Sequence, residues 1–112
     1  MSNHDVLYRL QHMLDNAKEA ISLIKGKTRA NLKDERMLEL SLIRLVEVIG
    51  EAAAKINSDD YEKYSNIPWT QVVGMRNRLI HGYDEVDLNI LWDTIDIDLP
   101  MLVKELKNIL NE

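Results

Sequence analysis

Between Arg76 and Tyr83, inside the stretch "GMRNRLIHGYDEVD", two arginines, an asparagine, a histidine and a tyrosine fall within eight residues. Histidine titrates near neutrality, so His81 can take or give a proton at working pH. Arginine keeps its charge and offers phosphate a planar fork of donors, which is what Arg76 would bring. Together the two suit a cleavage of RNA that needs no metal, in which the ribose 2′-OH attacks the adjacent phosphorus. His81 would relay a proton while Arg76 stabilises the charge building on the phosphoryl oxygens. RNA carries its own nucleophile, so the lack of any Cys is no obstacle.

Spacing constrains how these groups could meet. Positions five apart on an ideal helix are separated by about 140° around the axis, which sends Arg76 and His81 to different sides. A helix that stops near Ile80, followed by Gly82 free to take φ > 0, would let the chain fold His81 back towards Arg76. Asn77 shares a face with His81 only if helicity continues that far. A structural account uses the same residues. Arg and His at a helix C-terminus meet its negative dipole, worth about 0.3–1 kcal/mol each, and the Tyr83 ring can cover the end of a bundle. Spacing alone does not choose between the two accounts.

The elements that must position the group read as helices. Leu7, Leu10, Leu14, Ala17, Ile21 and Ile24 form one apolar stripe, with Asp5 expected as N-cap and Gly26 just past the end. "GKTRANLKD" reads as a polar connection. From about residue 34 to 56, Leu38, Leu42, Leu45, Ile49, Ala52 and Ile56 make a second stripe. Leu40, Ile43, Val46, Val48, Ala53 and Ala54 widen it, leaving Arg44, Glu47, Glu51 and Lys55 as a narrow polar seam. A helix this apolar is central to a bundle, with a second-chain contact as an addition. Glu47 and Glu51 stand where they could orient Arg76 or Arg78 from this neighbouring helix, against the simpler account of a solvated seam. Gly50 and Gly74, inside helices, predict close helix crossings, with room for a partner backbone as the alternative.

"NSDDYEKYSN" breaks the pattern as a loop with room for a short helical turn, and "IPWTQVVGMRNRLI" restarts it, with Pro68 suited to the first helical turn. Trp69, Val72, Val73, Met75, Leu79 and Ile80 supply its buried side. Asp87 is the expected N-cap of a last segment carrying Leu88, Leu91, Ile95, Leu102, Leu106 and Ile109, which Pro100 should kink or split. The expectation is an all-α, up-and-down bundle of four main helices plus a short one, with residues 1–112 forming a single domain.

Composition narrows the classes. With 112 residues, 46% of them hydrophobic and 29% charged, the chain can bury a core of its own. No cysteine excludes a disulfide framework, thiolate zinc and a cysteine nucleophile. The N-terminal "MSNHDVLYRLQ" carries charges where a signal peptide needs an apolar run, and no segment approaches a membrane span, so a cytoplasmic protein is expected. A net charge of −5 argues against a surface coated for duplex DNA, while a local cationic pocket could still hold RNA. His4 and His12 have no adjacent ligand set, and neither a metal nor a cofactor is expected.

The order Arg76-Asn77-x-x-x-His81-x-Tyr83 resembles the R-x4-H-x-Y signature of HEPN-domain proteins, specifically the HepT-like toxins. "IGEAAAKI", "IPWTQVVGMRNRLIHGYDEVD" and "DLP" followed by Leu102 are also similar to that family, in its usual order, so the likeness covers most of the chain from the second helix onward. It implies an α-helical, metal-independent ribonuclease whose two R-x4-H elements face each other across the cleft of a homodimer. It further implies one half of a type VII-like toxin–antitoxin pair. The partner would be a minimal nucleotidyltransferase antitoxin that silences cleavage by transferring AMP from ATP to the motif tyrosine. Carried over by position, Arg76 and His81 are the catalytic pair, Asn77 supports them and Tyr83 accepts the AMP. An AMP group there would block the RNA cleft by charge and volume. The competing function class is a catalytically silent helical module that binds nucleotide or a nucleotidyltransferase through the same pocket. A purely structural oligomerisation bundle is a third.

Overall fold

The structure, a computed structural model, describes residues 3–81 and 85–112, with only the backbone for Asn3 and His81. Helix takes 78% of the described residues, and strand among them is confined to one pair of two-residue strands. The fold is the expected all-α bundle. Its four helical stretches are α1 (Asn3–Leu23), α3 (Arg36–Ala54), the pair α5 (Trp69–Val73) and α6 (Met75–Leu79), and the run from α7 (Leu88–Asp93) to α8 (Leu99–Leu110). Two short helices, α2 (Asn31–Asp34) and α4 (Ser58–Lys63), lie between them.

Helix α1 packs along both α3 and α8. That double contact explains why its buried face is wider and rotated from the stripe read in the sequence. Val6, Met13 and Ala20 are buried beside Leu10, Leu14 and Ala17, whereas Leu7 is exposed. Asp5 is not the N-cap, because α1 is already helical at Asn3; it sits in the first turn, where a negative charge favours the helix dipole. Gly26 behaves as expected, taking φ 77 after the tightened turns that close α1.

Helix α3 is central, touching α1, α2, α5 and α6. Leu38, Leu42, Val46, Ile49, Ala52 and Ala53 are buried along it, while Leu40 and Ala54 face outward. The connection before it is less polar than its composition promised. Asn31 caps the turn by accepting the Thr28 N–H at 2.7 Å, and α2 drives Leu32 fully into the core. Arg29 then ties this corner to α7, donating to Asn89 at 3.0 Å and pairing with Asp93 at 2.8 Å.

Helix α4 clips the start of α5 in place. The Tyr61 hydroxyl donates to the Ala53 carbonyl at 2.6 Å, and its ring stacks on Trp69 with centroids 4.5 Å apart. The Trp69 indole N–H is shared between the carbonyls of Tyr61 and Tyr64. Trp69 is therefore a core aromatic with its polar atom satisfied. Pro68 stands at the N-cap of α5 rather than inside the first turn.

Near Pro100 the last stretch splits instead of running as one α-helix. Residues Thr94–Asp98 form a π-helical turn, in which the Leu99 N–H reaches five residues back to the Thr94 carbonyl. Proline lacks the N–H for an α-helical bond and its ring crowds the carbonyl four residues earlier. The wider turn relieves that crowding before α8 resumes with Pro100 in its first positions. Thr94 is buried and donates its hydroxyl to the Ile90 carbonyl at 2.8 Å, so the insertion leaves no orphan there.

Asp87 is the N-cap that was expected: its carboxylate accepts the backbone N–H groups of Asn89 and Ile90, both at 3.0 Å. Substituting Asp87 by Ala should cost about 1 kcal/mol of stability, measured by urea denaturation, because those two donors then lose their side-chain acceptor.

Candidate functional site

The segment carrying the candidate residues is positioned by a close crossing. A Cβ added at Gly50 on α3 would lie 3.4 Å from the carbonyl oxygens of both Val72 and Val73, so the missing side chain lets the end of α5 approach the α3 backbone. At Gly74 the helix turns slightly, with φ −87 and ψ 0, and resumes as α6. Met75 and Leu79 anchor the inner face of α6, leaving Arg76, Asn77 and Arg78 on its outer side.

The three polar residues part company there. The Arg76 Nε donates to Glu47 Oε2 at 2.8 Å. The other oxygen of Glu47 accepts from Arg44 Nη1 at 3.0 Å, and Arg44 also lies 3.8 Å from Glu51. Arg78 goes the other way, donating to the Gln71 carbonyl at 3.2 Å and lying 3.9 Å from Asp98. The sequence reading that Glu47 could orient Arg76 matches the first of these contacts, whereas Arg78 meets Asp98 rather than Glu47 or Glu51. Glu51 instead serves Arg44. Sequence reasoning passed over Arg44, although its i, i+3 spacing from Glu47 was a usable signal.

Arg76, Asn77, Glu47, Glu51, Gly50, Ala54 and Val73 border an open groove of about 280 Å³. The Glu47 side chain is 26% exposed and that of Arg76 48%. Ion pairs this near the surface contribute about 1 kcal/mol or less, so the consequence of the contact is orientation more than stability. The hydrogen bond from Arg44, opposed by partial desolvation and reinforced by Arg76, holds the Glu47 carboxyl below its ordinary 4.5. A lowered carboxylate pKa favours the folded state fully above the unfolded value and loses that contribution as pH falls through the folded one. The difference in melting temperature between the parent and Glu47→Gln, followed by calorimetry from pH 7 downward, should therefore hold to about 4.5 and shrink progressively as pH falls further through the lowered folded value.

Helicity ends at Leu79. Ile80 is extended, with φ −96 and ψ 122. Residues Ile80–His81 form β1, which pairs antiparallel with β2 (Glu85–Val86), aligning Ile80 with Val86 and His81 with Glu85. The Asp87 N–H closes the pair on the Leu79 carbonyl at 2.8 Å. Asn77 and His81 therefore do not share a helical face; the chain has left the helix for β1 before it reaches His81. The His81 side chain and the whole of Tyr83 lie outside the described residues. Among the described residues, no three of His, Asp or Glu gather to hold a metal ion. No helix among them is long and apolar enough to cross a membrane.

Comparison with known proteins decides the family. The model described as "Ribonuclease HepT-like" matches residues 13–109. The chain belongs to the HepT-like ribonuclease family. Among similar proteins, one from Methanocaldococcus jannaschii, provisionally named an RNase, is 37% identical over 96% of this chain and 98% of its own. Another from Caldanaerobacter subterraneus subsp. tengcongensis, named in the same way, is 35% identical over 92% of each chain. A protein of Thermococcus cleftensis, named a probable ribonuclease HepT, is 37% identical over 80% of this chain and 84% of its own. No solved structure gives a significant match. In this HepT-like chain the Arg of the R-x4-H spacing leaves a helix surface, and the His stands on the first strand of a hairpin immediately after it.

Proposed function

We propose that this HepT-like protein is a metal-independent endoribonuclease that acts as the toxin of a type VII-like toxin–antitoxin pair in the cytoplasm. The observation that supports it most is the state of Arg76: held by Glu47 through Nε, exposed, and bordering an open groove one short turn before the chain enters β1 at Ile80–His81. Two copies in a homodimer would bring two such elements to one RNA strand. The 2′-oxygen bonds to phosphorus as one His81 accepts its proton, and the phosphorus–5′-oxygen bond breaks as the leaving oxygen is protonated by the other. The products are a 2′,3′-cyclic phosphate and a free 5′-hydroxyl. Arg76 stabilises the phosphoryl oxygens, and Asn77, on the same groove, assists in placing them.

Incubating purified, unmodified protein with end-labelled RNA in chelator tests this reading. Fragments ending in 2′,3′-cyclic phosphate support it. Intact RNA alongside tight nucleotide or partner binding points instead to a silent binding module.

Silencing is assigned to Tyr83, two residues after His81 and beyond Gly82. A minimal nucleotidyltransferase antitoxin would transfer AMP from ATP to its phenol oxygen, releasing pyrophosphate. The intact mass of protein co-expressed with that enzyme should rise by whole AMP units, and Tyr83→Phe should abolish the rise. Modification persisting in that variant would move the role to another residue.

A further inference from the structure

We infer that Glu47 is a positioning residue for the cleavage reaction, acting through Arg76; this rests on the ribonuclease reading above. The inference begins with which edge of the guanidinium is engaged. Arg76 uses Nε on Glu47 Oε2 at 2.8 Å. A guanidinium carries five N–H donors, so this contact leaves the fork formed by the two terminal nitrogens available for a phosphodiester. An arginine that instead gave its terminal fork to the carboxylate would have spent the edge that substrate needs.

The carboxylate is itself held. Arg44, three residues earlier on α3, takes the second oxygen of Glu47 at 3.0 Å, so both oxygens are engaged and the carboxylate plane has little freedom to turn. Glu47 stands on the central helix of the bundle, one turn before Gly50, whose lack of a side chain brings the end of α5 against α3. A flexible side chain on a short five-residue helix is thereby referenced to the central helix of the fold. Rate depends steeply on such placement, since catalytic groups must sit within about half an ångström of their working position. The opposite role, a counter-ion that competes with phosphate and restrains activity, predicts a faster enzyme when the charge is removed.

The test is single-turnover cleavage of end-labelled RNA by unmodified protein in chelator. Glu47→Gln keeps the shape but removes the charge; it should lower the rate at saturating RNA by about 10–100-fold and move KM much less, because the loss falls on the transition state. Introduced into an Arg76→Lys background, where no Nε exists, the same change should cost under about two-fold. A parent-like rate, a faster rate, or an undiminished loss in the lysine background would each overturn the assignment.

A second readout does not depend on activity. In protein with 15N-labelled arginine, the Arg76 Nε–H signal, identified by its absence in Arg76→Lys, should exchange slowly in the parent and quickly in Glu47→Gln. If the parent fails to cut RNA, the ribonuclease reading falls, and this signal still decides the clamp: equal exchange in both proteins refutes it, and faster exchange in the variant upholds it.

Discussion

Replacing His81 by alanine should slow RNA cleavage by about 10²–10⁴-fold while leaving the bundle folded, the range that a positioned proton-transfer group supplies. Arg76→Ala should cost a similar 10²–10³-fold, the effect of removing one donor aimed at developing charge. The two losses have different signatures. Without His81, the proton on the 2′-oxygen has no acceptor matched to neutral pH, so the remaining activity should climb with added hydroxide or imidazole. Without Arg76, added base should help little, because phosphoryl charge is then left unopposed. Arg76 is exposed on α6, and the backbone of β1 pairs with β2 whatever side chain stands at 81. Circular dichroism and gel filtration should therefore match the parent. Parent-rate cleavage by His81→Ala would remove that histidine from the mechanism.

The second large effect is on stability. Leu42 is fully buried on α3, the helix that meets α1, α2, α5 and α6. Leu42→Ala should cost about 2–5 kcal/mol, the transfer free energy of the lost methyl groups plus that of the cavity they leave. For a chain of this length that corresponds to a fall in Tm of roughly 8–20 °C. Leu40, two positions away on the same helix, is 49% exposed, and Leu40→Ala should stay within about 0.5 kcal/mol in dilute solution. A penalty at Leu40 that grows with protein concentration would mark it as a contact between copies. Equal losses at the two positions in dilute solution would contradict the packing described for α3.

That pair of leucines shows where sequence reasoning reached its end. Both looked like contributors to one unusually wide apolar helix, and the conclusion that the helix is central was sound. Which of the two faces water depends on where α1 and α5 lie around it, and periodicity carries no information about neighbours. The same limit applied to Leu7, which fits the first stripe and is exposed because α1 answers to two partners at once. Local signals did better. The Asp87 cap, the positive φ at Gly26 and the disturbance at Pro100 are set by short-range sterics and hydrogen bonding, and each was readable from a few residues. The form of the Pro100 disturbance, a π-helical turn that keeps Thr94 buried and bonded, was not, because it depends on keeping Leu91, Ile95, Leu99 and Leu102 together in the core.

The candidate site divides along the same line. Residue types and spacing determined that an arginine, a histidine and a phenol follow one another, and that the first two can share a side only if the helix ends between them. Those are properties of side-chain chemistry and of the 100° step of a helix. Only the tertiary structure decided that the ending is a two-residue strand pair, that Arg76 spends Nε on Glu47, and that Arg44 holds Glu47 from the other side. The Arg76–Glu47 contact crosses 29 residues of chain, and its existence depends on how closely α3 and α5 approach at Gly50. That separation is set by the packing of the whole core, which no local pattern encodes.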